Sequence, residues 1–165
     1  MTSLVFETAH PDDWPAIWRI FRAVVSTGDT YPYPPDIGED TARSIWIRDA
    51  EREATYVARL DDEIVATSYL KPNGIGLSDH IANAGWMVAP EQQGKGIGRS
   101  FAEYVIEQAR GMGYRGMQFN SVVATNETAV ALWESLGFEI VGTVPNAFRH
   151  SRHGPTPAHI MYREL

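Results

Sequence analysis

The stretch Val88-Ala89-Pro90-Glu91-Gln92-Gln93-Gly94-Lys95-Gly96-Ile97-Gly98-Arg99 decides how this chain is read. Upstream of it, His80 to Ala89 reads as a strand that stops at Pro90. Downstream, Ile97, Phe101, Val105 and Ala109 recur at four-residue steps, joined by Ala102 and Ile106. That period predicts a helix from Gly96 to Met112, stopped by Gly111 and Gly113. Gly94, Gly96 and Gly98 therefore sit where a strand turns into a helix, with free backbone N–H groups and the positive end of the helix dipole outward. Such a turn favours an anion, a phosphate above all, and Lys95 and Arg99 add charge at its rim. A tight connection with no ligand would use the same residues, so spacing has to discriminate.

Two nucleotide-binding patterns fail that test. A dinucleotide fingerprint needs glycine at the third position after Gly96, where Arg99 stands, and an acid about 20 residues on, where the chain has Gln118. A Walker A loop needs Ser or Thr after its Gly-Lys pair, whereas Gly94-Lys95 is followed by Gly96.

Working outward, Leu4 to Ala9 reads as a strand. Asp12-Asp13 can cap a helix carrying Trp14, Ile17, Trp18, Phe21, Val24 and Val25 at helical spacing. Residues 28–38, with three prolines and two glycines, form a loop bearing Tyr31 and Tyr33. A second helix is expected from Asp40 to about Arg52, then an antiparallel pair at Thr55–Leu60 and Ile64–Leu70 around Asp61-Asp62-Glu63. Met117–Val123 reads as a strand, Asn126–Leu136 as a helix stopped by Gly137, and Phe138–Val144 and Ala158–Arg163 as closing strands. The order is βααβββαβαββ. It describes a mixed α/β domain of the α+β type, with a largely antiparallel sheet. The length, 165 residues, suits one domain spanning 1–165.

The bulk properties narrow the partners. A net charge of −7 repels the phosphate backbone of nucleic acids. There is no cysteine, which removes disulfides and thiolate chemistry and suits a reducing cytoplasm. Met1 to Glu7 lacks the features of an export signal, and no apolar run approaches the ~20 residues of a membrane span. His150 and His153 stand three apart without a carboxylate nearby, so no metal is expected.

Residues 88–98 resemble the pyrophosphate-binding segment of the GNAT N-acetyltransferases, whose core Gln/Arg-x-x-Gly-x-Gly/Ala is met by Gln93, Gly96 and Gly98. Asn126-Glu127-Thr128-Ala129-Val130-Ala131-Leu132-Trp133-Glu134-Ser135-Leu136-Gly137-Phe138 is similar to that family's second signature: Asn, Ala three residues on, Leu-aromatic, then Gly-Phe. The resemblance spans nearly the whole chain. It implies a GNAT-like fold whose sheet splays between the strands at 80–89 and 117–123 to admit acetyl-CoA. It also implies that backbone groups of Met87 and Val88 hold the pantetheine arm and polarise the thioester carbonyl. Gln93, Gly94, Lys95, Gly96, Ile97, Gly98 and Arg99 would hold the pyrophosphate. Asn126 would bind the cofactor through its amide, a plain helix N-cap being its other reading.

The expected reaction is acetyl transfer to the amine of a small molecule, an amino or imino acid. The rival readings are a protein or peptide acceptor and a CoA-binding module without catalysis. The strand before the turn carries no carboxylate, which leaves His80, beside Asp79, as the nearest candidate base. The Tyr that members of the family use as general acid is here Trp133, whose indole N–H cannot supply a proton to a thiolate. Phe119-Asn120 together with Ala124-Thr125-Asn126 resembles a branch acting on small cyclic imino acids such as azetidine-2-carboxylate. Asn120 is therefore nominated to touch substrate, against a structural cross-strand hydrogen bond. Tyr31 and Tyr33 are expected to close over the acceptor or to pack on the first helices. Arg149, in the basic segment 145–163, is the candidate partner for an acceptor carboxylate or the cofactor's 3′-phosphate. A homodimer is left open.

Overall fold

The computed structural model describes residues 3–165. Met1 and Thr2, which open the stretch read as lacking an export signal, lie outside the described residues. The elements are β1 (Leu4–Thr8), α1 (Trp14–Val25), α2 (Glu39–Trp46), β2 (Ala54–Leu60), β3 (Glu63–Pro72), β4 (Ile81–Val88), α3 (Ile97–Gly111), β5 (Gly116–Val123), α4 (Glu127–Ser135), β6 (Glu139–His150) and β7 (Gly154–Glu164). Their order is the βααβββαβαββ of the sequence reading.

The strands form one seven-stranded sheet in the order β1-β2-β3-β4-β5-β7-β6. Every neighbouring pair is antiparallel except β4 and β5, which run parallel and are joined by the crossover through α3. One face is covered by α3 and α4, where Phe101, Val105, Ile106, Trp133 and Leu136 meet the sheet residues Tyr56, Leu70, Ala82, Met117 and Phe119. The other face carries α1 and α2, whose Ile17, Phe21 and Trp46 pack on Val57, Ile64 and Met87. Apolar stripes at helical period thus bury both sides of the sheet, and the fully buried Phe21, Trp46 and Phe101 anchor them.

Two boundaries differ from the sequence reading. The helix expected to reach Arg52 stops at Trp46. There the Thr55 hydroxyl donates to the Trp46 carbonyl at 2.9 Å and accepts from Arg48 N–H at 2.8 Å, satisfying groups that another helical turn would need. The closing strands are longer than expected, because β6 and β7 form one long hairpin through the proline-bearing segment 145–157. Pro145 is tolerated because β6 is an edge strand, with the register shifting between Val144 and Phe148.

Candidate active site

The parallel pairing of β4 and β5 is brief: Ile81 faces Gly116, Ala82 faces Met117, and the strands then part. Asn83 holds the point of separation. Its Nδ2 donates to the Gln118 carbonyl at 2.9 Å, and its Oδ1 accepts from Tyr69 O–H at 2.9 Å. The buried amide therefore bridges strands whose backbones no longer reach each other.

Beyond Asn83, one edge of β4 has no strand beside it. In an antiparallel pair, the N–H and C=O of alternate residues point to the same side. Ala89 N–H donates to Val65 O at 2.8 Å, so Ala89, and with it Met87 and Gly85, turn toward β3. Trp86 and Val88 then face the gap. The groups of Trp86 are taken up there by the Tyr31 hydroxyl, which accepts from Trp86 N–H at 2.9 Å and donates to Trp86 C=O at 2.6 Å. The Val88 carbonyl accepts a longer bond from Gln93 Nε2, at 3.4 Å.

Tyr31 comes from the loop between α1 and α2, which folds across the gap. Burial, reinforced by Tyr69 and Tyr33, pushes its hydroxyl well above the ordinary value of 10, so it stays protonated near neutrality. Thr30 to Tyr33 roof a cleft of about 330 Å3, whose walls include Tyr69, Lys71, Asn83, Trp86, Asn120 and Trp133. Gly85 admits the ring of Tyr69: a Cβ there would lie 2.7 Å from Tyr69 Cε1 and 3.3 Å from the Tyr31 hydroxyl. Trp86, Phe119, Trp133 and Phe138 pack in one aromatic cluster at the cleft, mostly edge-on or tilted, with ring centroids 4.4–5.8 Å apart.

The glycine turn follows β4 directly. Gly94 and Gly96 take φ of +76° and +81°, a left-handed conformation that costs glycine little, and Gly96 is the N-cap of α3. No side chain caps that helix, and a Cβ on Gly94 or Gly96 would meet nothing within 4 Å. The first-turn N–H groups thus open onto free space, beside the Lys95 ammonium and the Arg99 guanidinium.

The family model for the Acetyltransferase (GNAT) family matches residues 14–138. The chain belongs to the GNAT acetyltransferase family. A structure of a GCN5-related N-acetyltransferase from Kribbella flavida is 42% identical with a TM-score of 0.94, over 98% of both chains. N-acetyltransferase aca1 of Schizosaccharomyces pombe is 38% identical over 90 residues, which are 54% of this chain and 43% of that protein. The chain thus matches less than half of that relative's length. Uncharacterized N-acetyltransferase YjgM of Escherichia coli is 29% identical over 77% of each chain.

Acetyl-CoA is the cosubstrate of GNAT acetyltransferases, and the residues present fit it. The uncapped N-terminus of α3 suits the pyrophosphate, and the outward peptides of Val88 and Trp86 form a track from there into the cleft. The structure corrects one expectation on this track, because Met87 is buried with its peptide groups toward β3 and Trp86 faces the gap in its stead. Lys95 Nζ donates to Gln92 Oε1, and Arg99 bonds Ser135 Oγ and pairs with Glu103, so both keep to the outer rim. The Asn126 side chain accepts from Ala129 N–H at 3.3 Å as an N-cap, and it also lines the cleft.

Of the acceptor and catalytic candidates, Tyr31, Tyr33 and Asn120 converge on the cleft. Asn120 is exposed there, with its amide oriented by Gln118 Nε2 at 3.0 Å and Asn73 Oδ1 at 2.7 Å. His80 does not converge. It is exposed before β4, at the closed end of the fork, and its carbonyl accepts from Arg115 N–H. Arg149 does not either: it is exposed on the edge strand β6, opposite Pro155. The basic hairpin tip serves Asp29 instead, whose carboxylate accepts from Ser151 Oγ at 2.6 Å and from Arg152 Nη2 at 3.2 Å, with His150 Nε2 at 3.6 Å. Trp133 packs in the aromatic cluster. Lys71, Tyr69 and Asn83 were missed because their role depends on long-range strand pairing that no local pattern announces.

Proposed function

We propose that this GNAT domain moves the acetyl group of acetyl-CoA to the amine of a small molecule, an amino or imino acid, by direct attack with both reactants in the cleft. The observation that carries this reading is the roofed fork. The free peptide edge of β4 is covered by the loop at Thr30–Tyr33, and the half-open cleft of about 330 Å3 that remains suits a small ligand better than an extended peptide. A cysteine-free chain fits work in a reducing cytoplasm.

When bound, acetyl-CoA supplies the activated acyl group as a thioester. The chain's own residues bind and orient. The first-turn N–H groups of α3 receive the pyrophosphate, the Val88 peptide takes the arm, and Trp86 N–H is the donor available to the thioester carbonyl once Tyr31 yields it. Asn120 presents its amide to the acceptor from the opposite wall.

Among the described residues, no carboxylate or histidine lines the cleft. With neither at hand, the acceptor amine passes its proton to water, which returns one to the departing thiolate, and Tyr31, held protonated, serves as a hydrogen-bond donor rather than a base. Free thiol release from acetyl-CoA over a panel of amines tests the proposal. Turnover with small amino or imino acids is the expected result. Turnover with peptides alone would overturn the acceptor class, and acetyl-CoA binding without turnover on any amine would make the chain a CoA-binding module.

A further inference from the structure

Lys71 stands on β3 directly opposite Asn83 and on the same face as Tyr69, two residues before it. It is half-buried and lines the cleft, with Nζ 5.9 Å from the Tyr69 ring centroid. Among the described residues no carboxylate lies within ion-pair distance of it. Arg48 stands near enough for its charge to act on Lys71, Tyr33 and Tyr69. Arg48 has a carboxylate at ion-pair distance, its Nη1 lying 3.7 Å from Glu53 Oε2; the Glu53 charge also reaches Lys71 from farther off without pairing with it.

An ammonium removed from water and set near a second cation is disfavoured unless an anion meets it. Burial, with the Arg48 charge, lowers the Lys71 pKa from its ordinary value, and the Glu53 charge offsets part of that shift. An arriving carboxylate would relieve both effects, so the wall at Lys71 favours an anion. Trp86 lies three residues along the paired strands, about 10 Å, from the level of Lys71. A lysine stem reaching inward and an α-amino acid reaching back together span that gap.

We infer that Lys71 anchors a carboxylate of the acceptor, so that the substrate class is an amine carrying an acid group rather than a simple amine or a polyamine. This rests on the acetyltransferase reading above. It assigns to β3 the anion-binding role that the sequence suggested for Arg149.

The experiment pairs glycine, L-proline and azetidine-2-carboxylate with their carboxamides, with spermidine as a cationic acceptor. It measures thiol release and, by calorimetry, acceptor binding to the CoA-loaded protein. The expected wild-type preference for the carboxylate form is about 10- to 100-fold in kcat/KM. In Lys71→Met that preference collapses toward unity through KM and acceptor binding, and in Lys71→Arg most of it survives. A wild type that accepts carboxamides or spermidine as well as it accepts carboxylates overturns the inference, whether or not the Met variant folds. So does a Lys71→Met variant that loses both forms equally through kcat with a shifted pH profile, which would mark Lys71 as a base. Acetyl-CoA binding, measured separately, divides the failures. No binding to the wild type sinks the acetyltransferase reading, whereas intact binding and turnover without a carboxylate preference sink only the Lys71 assignment.

Discussion

Two stations along β4 handle their ligands by different means. At its C-terminal end the glycine turn offers mainly backbone, with positive-φ glycines, an uncapped helix and open space where side chains would project, and Lys95 and Arg99 only at its rim. Midway along the strand the cleft is made of side chains drawn from distant segments: Tyr31 from the α1–α2 loop, Lys71 from β3 and Asn120 from β5. On the proposed reading, the first station receives what every acyl-CoA shares and the second what differs between acceptors. Substitutions should therefore separate cofactor binding from acceptor use, and each prediction below tests that separation.

The largest effect is expected at Gly96. Its φ of +81° is strained for any L side chain and most of all for a β-branched one, and a branched group there also projects into the anion's space. Gly96→Val should weaken acetyl-CoA binding by about 100-fold or more, read by calorimetry, while costing only about 1–3 kcal/mol of stability. Undiminished acetyl-CoA affinity would move the pyrophosphate away from this turn. Next in size is Asn120. Asn120→Ala removes an amide oriented by Gln118 and Asn73, and kcat/KM for the acceptor should fall about 10- to 30-fold with acetyl-CoA affinity unchanged. A variant with full turnover would leave Asn120 a structural cross-strand link.

The same division explains what the sequence disclosed. The turn was legible because local chemistry specifies it: a strand ending at Pro90, glycines where φ must be positive, and a helix period beginning at Ile97. The splay was foreseen from family resemblance, and the structure adds its local cause in the Asn83 bridge from Tyr69 to the Gln118 carbonyl. The acceptor wall was half legible. Tyr31, Tyr33 and Asn120 stood out as polar or aromatic residues in unusual settings. Lys71, one residue past the strand expected at Ile64–Leu70, carries no local signal, and only the pairing of β3 with β4 brings it beside Asn83. Arg149 and His80 were singled out for their chemistry alone, and the fold places the one on the edge strand β6 and the other at the closed end of the fork, outside the cleft lining.

Tyr31 bridges the two stations, because its hydroxyl occupies the Trp86 peptide that the thioester is proposed to use. Tyr31→Phe would strip both partners from Trp86 N–H and C=O in the empty protein. Stability without ligand should fall by about 1–2 kcal/mol, while the rise in Tm produced by saturating acetyl-CoA should be larger than in the wild type. Equal ligand-induced shifts in the two proteins would mean that the thioester and the tyrosine do not compete for that peptide.

The smallest expected effect tests whether the roof belongs to the acceptor station alone. Asp29 lies in the loop that carries Tyr31, two residues before it, and the β6–β7 hairpin holds it through Ser151, Arg152 and His150, with Ser151 N–H donating to Gly28 O at 3.1 Å. Asp29→Asn keeps the shape and the Ser151 bond but loses the charge that pairs with Arg152. That pair is largely solvent-exposed on the arginine side, so stability should fall by no more than about 1 kcal/mol. A roof less firmly held costs more ordering when an acceptor binds, so KM for the acceptor should rise by about two- to five-fold. The glycine turn makes no contact with this latch, and acetyl-CoA affinity should stay at the wild-type value. A variant that weakened acetyl-CoA as much as the acceptor would show that the roof closes on the thioester as well, and that the two stations act as one.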